Sequence, residues 1–335
     1  QYRCLPVANK SENFGCIVTE RESEPELEES VAQTAVEYAC IVLILRAQTR
    51  ISNQHIEEKY RDAFLEDLLL NNVKTENEIH NRAQLYGWNF PNGGLVAVID
   101  INNIKKYYVE DIDPQTNERL EEITQNIFGA SIRGMLYIFP NAKYYKQSDL
   151  IVFIISPEKY ERSLIELRLE TVFRNIREQI AGEASFTITM GVGDYVDNIK
   201  DIHQSYSQAR TSINIGYKLE RFDCILFYNR MGIYRLLTAV AGTEESEDFD
   251  RRYIRPLSDY DAKYHTALLE TLEAVAACGW NLKKAGEMLF IHYNSAKYRF
   301  SKICEILDTD LHDPEQRLAA EIALKMRMIN NNRWS

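Results

Sequence analysis

The sequence has no long apolar run and no paired-cysteine motif. No apolar stretch approaches the roughly 20 residues that a helix needs to cross a bilayer, so we expect no membrane span. The six cysteines are scattered and form no C-x-x-C pair, which argues against a zinc site or a disulfide framework. We therefore expect a cytoplasmic protein whose cysteines are small, buried apolar residues. Because the first residue is Gln rather than Met, we also expect an excised fragment.

Motifs that hold phosphate groups or carry catalytic side chains are also absent. The sequence has no G-x-x-x-x-G-K-[ST], no G-x-G-x-x-G after a strand, no G-x-S-x-G and no H-E-x-x-H. The histidines show no ligand spacing: His55, His80, His203, His265, His292, His312. We therefore expect no catalytic residue, no metal site and no cofactor.

Proline is missing between Glu26 and Phe90, and Gly87 is the only glycine there. Apolar residues recur at helical spacing, which predicts one long helix, or two in line, to about Asn72 and a second helix over Glu76–Tyr86. The segment 39–45, ACIVLIL, is too apolar to remain in water. It either packs on a preceding domain or forms a helical seam between two copies, and we favour the homodimer. Two β-like runs, Tyr2–Val7 and Phe14–Thr19, precede the helix.

Residues 93–228 alternate between strand and helix patterns. The predicted strands are Gly94–Ile101, Met135–Phe139, Asp149–Ile155, Ser185–Gly191 and Cys224–Tyr228. The predicted helices are Thr116–Gly129, Tyr160–Ile180 and Lys200–Glu220. Two successive strands without a helix between them imply a hairpin, so we expect a layered α+β domain rather than a doubly wound sheet. The acidic, glycine-bearing segment 241–250 after it is predicted to be a mobile loop.

Near the C-terminal end, two short helices follow one another. The first is predicted over Leu282–Phe290 with Asn281 as its N-cap, and the second starts after Asn294, another N-cap candidate, and runs to about Leu307. The expected inner faces are Ala285, Met288 and Leu289 on the first helix, and Ala296, Phe300, Ile303 and Leu307 on the second. Each helix is too short to be stable alone. The pattern is that of a helix-turn-helix, supported by a helix over Asp261–Cys278 and one from Asp313-Pro314 to about Met328.

The helix pair is basic although the whole chain carries a net charge of −11. Residues 279–307 hold five cationic side chains and only two acidic ones, Glu287 and Glu305. A local basic region of this kind can bind DNA phosphates, while Asn and Ser side chains can contact base edges. The candidate DNA-binding residues are Lys283, Lys284, His292, Tyr293, Asn294, Ser295, Lys297, Tyr298, Arg299, Ser301 and Lys302. On pattern alone, a helical hairpin that packs on its own chain or on a partner remains an alternative.

The stretch AGEMLFIHYNSAKYRFSKICEILDTDLHDPEQRLAAEIALKM resembles the C-terminal DNA-binding domain of PucR-type bacterial transcription regulators. That family commonly has A-x-x-L-F-I-H-R-N-T-L-R-Y-R-L-x-R-I followed by L-D-L-x-D-P-x-x-R-L. Tyr293 stands where the family often has Arg, and Ala296 replaces a usual Leu. The missing cation implies weaker phosphate binding or a different base preference.

In the middle of the chain, the segments VAVIDINNIKK, SDLIVFII and SFTITMGVG resemble the GGDEF-type cyclase fold. Cyclases of that family use two metal ions to join GTP molecules. The signature stretch is here Gln147, Ser148, Asp149, Leu150, Ile151, so both glycines and the Glu are gone. Asp100 matches a metal-ligand position of that family. A single further carboxylate is a poor Mg²⁺ site, so the resemblance implies a degenerate domain without cyclase activity.

Together these patterns predict an α+β multi-domain protein. It would comprise the C-terminal remnant of a GAF-like sensor domain (1–50), linker helices (51–88), a ferredoxin-like, GGDEF-like layered domain (89–230), a connector (231–260) and an all-α helix-turn-helix domain (261–330). The resemblance implies a homodimeric or larger regulator that binds double-stranded operator DNA and responds to an unknown small-molecule effector. The competing hypothesis is a nucleotide-binding signalling module or residual cyclase.

Overall fold

The computed structural model describes residues 2–8, 13–20, 26–102, 114–157, 163–182 and 186–330. The chain divides into two compact units: the described parts of Gln1–Val73 with Asn81–Trp88, and of Lys74–His80 with Asn89–Ser335. Among the described residues, no helix is both long enough and apolar enough to cross a membrane.

The first unit consists of a β-hairpin and a long helix. Strands β1 (Tyr2–Ala8) and β2 (Asn13–Glu20) pair antiparallel, which confirms the two predicted strands, although the turn between them lies outside the described residues. Helix α1 runs without a break over Glu26–Leu69, because no proline or glycine interrupts it. Near its end Phe64 lies 6.1 Å from the ring of Tyr86.

The cysteines differ from expectation. Cys4 and Cys16 are exposed on the hairpin, and the remaining four are half-buried. The prediction that they are buried apolar residues was therefore wrong. Cysteine is small enough to be tolerated at the edge of a packed region, so the residue type alone does not predict whether the side chain is buried.

Helix α2 (Glu76–Gln84) precedes a mixed five-stranded sheet. Its strands are β3 (Leu95–Ile101), β4 (Lys143–Gln147), β5 (Leu150–Ile155), β6 (Ile188–Val192) and β7 (Ile225–Phe227). The spatial order is β4-β5-β3-β6-β7, and every neighbouring pair is antiparallel except β6 and β7. With helices α3 (Pro114–Ile138) and α4 (Ile165–Ile180), the order from β3 to β6 is the ferredoxin-like βαββαβ arrangement that was predicted.

One predicted strand was wrong. Residues Met135–Phe139 were expected to pair with β5, but α3 continues to Ile138 instead of ending near Gly129. The strand that pairs with β5 is β4, and Ser148, in a left-handed conformation (φ 48°), makes the tight turn between them. Met135 is fully buried in the core between helix and sheet. A short apolar run has the same pattern in a buried helix as in a buried strand, which explains the error.

The sheet is covered by helices on both faces. Alternate residues of β3, such as Ala97 and Ile99, pack with α3 and α4. On the other face lies α5 (Ile202–Lys218), where Ser205 accepts a hydrogen bond from the Val96 amide at 2.9 Å. A Cβ atom at Gly191 would lie 2.2 Å from the carbonyl oxygen of Ala209. Glycine in β6 thus allows α5 to approach the sheet closely.

The connector is helical rather than a loop. Helices α6 (Tyr234–Val240) and α7 (Glu244–Phe249) are followed by a π-helical turn over Asp250–Ile254, so the predicted mobile loop at 241–250 was wrong. Thr243 accepts a hydrogen bond from the Ser246 amide and caps α7. Acidic residues in the first turn of α7 favour this helix through its dipole, a signal that the loop prediction overlooked.

The C-terminal region contains α8 (Arg255–Tyr264), α9 (Leu268–Ala277), α10 (Leu282–Met288), α11 (Tyr293–Leu307) and α12 (Pro314–Asn330). The single helix predicted over Asp261–Cys278 was wrong, because the chain breaks at His265, whose φ is +51°. The Asp261 carboxylate accepts hydrogen bonds from the amides of Leu268 and Leu269, at 2.8 and 2.9 Å. It thereby satisfies the first amides of α9 from the preceding helix.

Candidate nucleic-acid interface

Helix α10 is short and closely packed. The Asn281 side chain accepts hydrogen bonds from the amides of Lys283 and Lys284, both at 3.1 Å, which confirms it as the N-cap. Ala285 and Gly286 are buried, and a Cβ atom on Gly286 would lie 3.6 Å from the Cβ of Ala296. Small residues at this contact therefore bring α10 and α11 together, as expected for a helix-turn-helix.

Helix α11 begins two residues before the predicted start, at Tyr293. Its N-cap is His292, whose Nδ1 accepts a hydrogen bond from the Asn294 amide at 3.2 Å, so the prediction of Asn294 as the cap was wrong. Histidine was overlooked because it is not among the common N-cap residues. The predicted inner face is confirmed, since Ala296, Phe300, Ile303 and Leu307 are all buried. As a result, the Asn294 side chain remains available at the surface of the first turn.

The residues opposite this inner face form an exposed basic surface. We use this name for Lys283, Lys284, His292, Tyr293, Asn294, Ser295, Lys297 and Tyr298, all of which are exposed. Within the described part of the chain, the three lysines have no acidic side chain at ion-pair distance. Their ammonium groups are thus free to bind phosphate oxygens, while Asn294 and Ser295 offer donors and acceptors at the start of α11.

Three of the candidate residues lie outside the basic surface. Arg299 is half-buried and donates to the Thr271 hydroxyl at 3.3 Å, which ties α11 to α9. Lys302 forms an ion pair with Glu305 at 2.7 Å, and this hydrogen bond raises the pKa of the Lys302 ammonium group. Ser301 is exposed one turn further along α11. Arg299 and Lys302 therefore already have protein partners.

Two exposed residues of the helix pair were missed. Met288, predicted on the inner face, is 56% exposed and is the last residue of α10. Phe290, in the turn between the helices, is 97% exposed and has a φ of +56°. Apolarity is the usual signal of burial, so composition alone gave no reason to place either side chain in water.

A second group of polar side chains lies at the end of β3, where the cyclase resemblance had suggested metal ligands. The Tyr217 hydroxyl donates to Asn102 Oδ1 at 2.9 Å, and Thr189 donates to the same atom at 3.0 Å. Burial, followed by the nearby carboxylates of Asp100 and Asp149, raises the pKa of Tyr217, which therefore stays protonated. In the described ranges, no cluster of three or more His, Cys, Asp or Glu could hold a metal ion.

Both the sheet-containing domain and the C-terminal helix-turn-helix match known protein families. Residues 268–326 match the PucR C-terminal helix-turn-helix domain, and residues 71–215 match the GGDEF-like domain. Three relatives from Bacillus subtilis (strain 168) are similar to the chain. The purine catabolism regulatory protein is 18% identical over 333 residues, which cover 98% of this chain and 60% of that protein.

The DNA-binding transcriptional activator AdeR is 23% identical over 85% of this chain and 63% of its own length. The proline-responsive transcriptional activator PutR is 30% identical over 38% of this chain and 31% of its own length. The chain thus spans less than two thirds of each of these relatives. By these matches the chain is similar to the PucR-type proteins, in that residues 71–215 match the GGDEF-like domain and residues 268–326 match the PucR C-terminal helix-turn-helix domain.

Proposed function

We propose that this chain binds a specific site on double-stranded DNA and thereby regulates the transcription of metabolic genes. The observation that carries the proposal is the basic surface of α10 and α11, with Lys283, Lys284 and Lys297 exposed on a helix-turn-helix. In such motifs the second helix enters the major groove and its first residues contact the bases. Asn294 and Ser295 occupy that position in α11.

The charge distribution also supports the proposal. The whole chain carries −11, whereas the basic surface carries three lysines without acidic partners among the described residues. Acidic surfaces elsewhere repel DNA, so the protein would approach a duplex with this surface first. The named roles of the purine catabolism regulatory protein and of PutR and AdeR agree with such an activity.

We further propose that two copies associate through α1. Exposed residues recur along this helix at alternating intervals of three and four: Ala35, Tyr38, Val42, Leu45, Thr49, Ser52 and Ile56. Four of them are large apolar side chains at least half exposed: Tyr38, Val42, Leu45 and Ile56. This spacing is that of a coiled-coil seam, and a two-fold dimer would present two helix-turn-helix units to paired half-sites.

In the same proposal the signal is a small molecule bound upstream of the GGDEF-like domain, and the protein works in the cytoplasm. Residues 1–50 would be the end of the sensor, and residues 51–88 would carry its signal to the middle domain. PutR is named as a proline-responsive activator, and for this chain we expect an effector that is likewise a small metabolite of about the size of proline. Binding would then shift α1 and change the spacing of the paired DNA-binding helices.

The experiment is a gel-shift titration of a duplex taken from the region upstream of the protein's own gene. We expect specific retention that is about 5- to 150-fold weaker for Asn294→Ala, since a bidentate base contact contributes about 1–3 kcal/mol. Lys297→Ala should weaken binding to all duplexes and reduce the salt dependence by about one phosphate contact. Lys302→Ala is the control, because Lys302 already pairs with Glu305.

Equal retention of specific and unrelated duplexes by the native protein would contradict the proposal. The competing activity is tested in parallel by incubating the protein with GTP and Mg²⁺ and analysing the nucleotides. Formation of a cyclic dinucleotide would show that the GGDEF-like domain is an active nucleotide cyclase and would favour the competing hypothesis.

A further inference from the structure

Phe290 is held in a conformation that is unfavourable in two respects. Its φ of +56° is in the left-handed region, which a side chain with a Cβ rarely adopts. Its ring is 97% exposed, so almost none of its apolar surface is removed from water. A glycine at this position would have neither disadvantage. Conformations of this kind are concentrated at functional sites, where another requirement outweighs stability.

Trp280, another aromatic residue of the same domain, shows what normally offsets such a conformation. Its φ is +64°, but its ring lies 6.3 Å from that of Phe300 in an edge-on arrangement. Its indole nitrogen donates to Glu321, and Arg317 lies 5.2 Å from the ring centre. Phe290 has no comparable ring contact within the described residues. Contacts inside the protein therefore stabilise Trp280 but not Phe290.

The position of Phe290 between α10 and α11 indicates which kind of partner its ring contacts. The turn that carries it is fixed by hydrogen bonds from the Phe290 amide to Glu287 and from the Ile291 amide to Gly286, at 3.3 and 2.9 Å. Two residues later, His292 caps α11 and begins the second part of the basic surface. An exposed apolar ring thus lies in the hydrogen-bonded turn that joins α10 to α11, the two helices that carry the basic surface.

We propose that Phe290 is a DNA-contacting residue whose ring packs against the 5-methyl group of a thymine at the edge of the major groove. The inference rests on the proposed function and names one sequence preference of the site. A phenylalanine ring forms no conventional hydrogen bond, and the thymine methyl is the apolar group that the major groove presents. The adjacent lysines would hold the phosphates on either side, bringing the ring to the bases.

The test compares the full chain with Phe290→Gly and Phe290→Leu. Glycine removes the ring and the backbone strain together, so the midpoint of thermal unfolding should stay the same or rise, while affinity for the operator falls by about five- to tenfold. Leucine should retain part of the affinity. Leu318→Ala, which removes a half-exposed apolar side chain from α12, should leave affinity unchanged.

A second measurement assigns the contact. Each thymine of the operator is replaced in turn by deoxyuridine, which lacks only the methyl group. For the native protein, deoxyuridine should lower the affinity at one or two positions. At those same positions, Phe290→Gly should bind the thymine and the deoxyuridine duplexes with equal affinity.

If Phe290→Gly binds as tightly as the native protein, or unfolds at a lower temperature, the inference is wrong and the ring serves a protein contact. If the native protein binds no duplex specifically, the proposed function fails as well, so the two failures are distinguishable.

Discussion

The indole nitrogen of Trp280 donates a hydrogen bond to the Glu321 carboxylate at 2.5 Å, joining the entry of the helix-turn-helix to α12. Arg317, also on α12, lies over the same ring. Trp280 immediately precedes the cap residue Asn281, so this contact fixes the start of α10. Helix α12 therefore orients the helix pair as well as covering its core.

The Trp280–Glu321 contact can be measured by a double-mutant cycle. Trp280→Phe keeps an aromatic ring and removes the donor, whereas Glu321→Gln removes the charge of the acceptor. We expect Trp280→Phe to lower the free energy of unfolding by about 1.5–3 kcal/mol, because the bond involves a charged group. Chemical denaturation of the two single variants and the double variant gives the coupling energy, and strictly additive effects would show that the two side chains act independently.

The same helix joins the helix-turn-helix to the connector. Leu237 of α6 packs in a small cluster with Met326 and Ile329 of α12, and all three are buried. Leu237→Ala should lower the free energy of unfolding by about 2–4 kcal/mol, as for other large-to-small core changes. Its neighbour Leu236 is 68% exposed, so Leu236→Ala is a matched control that should change stability by less than about 0.5 kcal/mol. Equal effects in urea denaturation would argue against this packing.

The close approach of α5 to the sheet depends on glycine. Gly191→Ala would place a Cβ atom 2.2 Å from the Ala209 carbonyl oxygen and 2.7 Å from Ile213, so the helix must move. We expect a loss of about 3 kcal/mol or more, beyond the usual 1–3 kcal/mol of an overpacked core because backbone is involved. Gly182→Ala makes the same chemical change where nothing lies within 4 Å and should be close to neutral. Thermal unfolding of the two variants distinguishes these outcomes.

The α1 seam can be tested by sedimentation. Val42→Glu combined with Leu45→Glu places charges on the proposed seam and should convert a dimer to a monomer at micromolar concentration, because buried unpaired charges are strongly disfavoured. Arg50→Glu changes the net charge by the same amount at an exposed residue outside the seam. It should leave the dimer intact. A native protein that sediments as a monomer would refute the dimer proposed for this chain.

Several features could be predicted because they depend on local sequence. The length of α1 follows from the absence of proline and glycine, and the Asn281 cap from its position before a helical pattern. The inner face of α11 follows from helical spacing, since Phe300, Ile303 and Leu307 fall on one side. In each case the cause lies within a few residues along the chain.

The errors over Met135–Phe139 and at His265 arise where residues outside the local segment decide, whereas the missed cap of α11 is local. Met135 belongs to a helix because that helix packs across the sheet, although its own segment is equally compatible with a strand. The break at His265 is stabilised by Asp261, whose carboxylate satisfies amides seven and eight residues away. The cap of α11 is a histidine, a residue that local statistics do not favour.

The candidate site shows the same division. The sequence by itself determined that a basic helix pair lies between Asn281 and Leu307, because charge and helical periodicity are properties of the residues themselves. Only the tertiary structure decided that Arg299 is engaged by Thr271 of α9, while the Phe290 side chain is exposed to solvent. The physical reason is that exposure and pairing depend on which elements pack together, and that packing joins residues far apart in the chain.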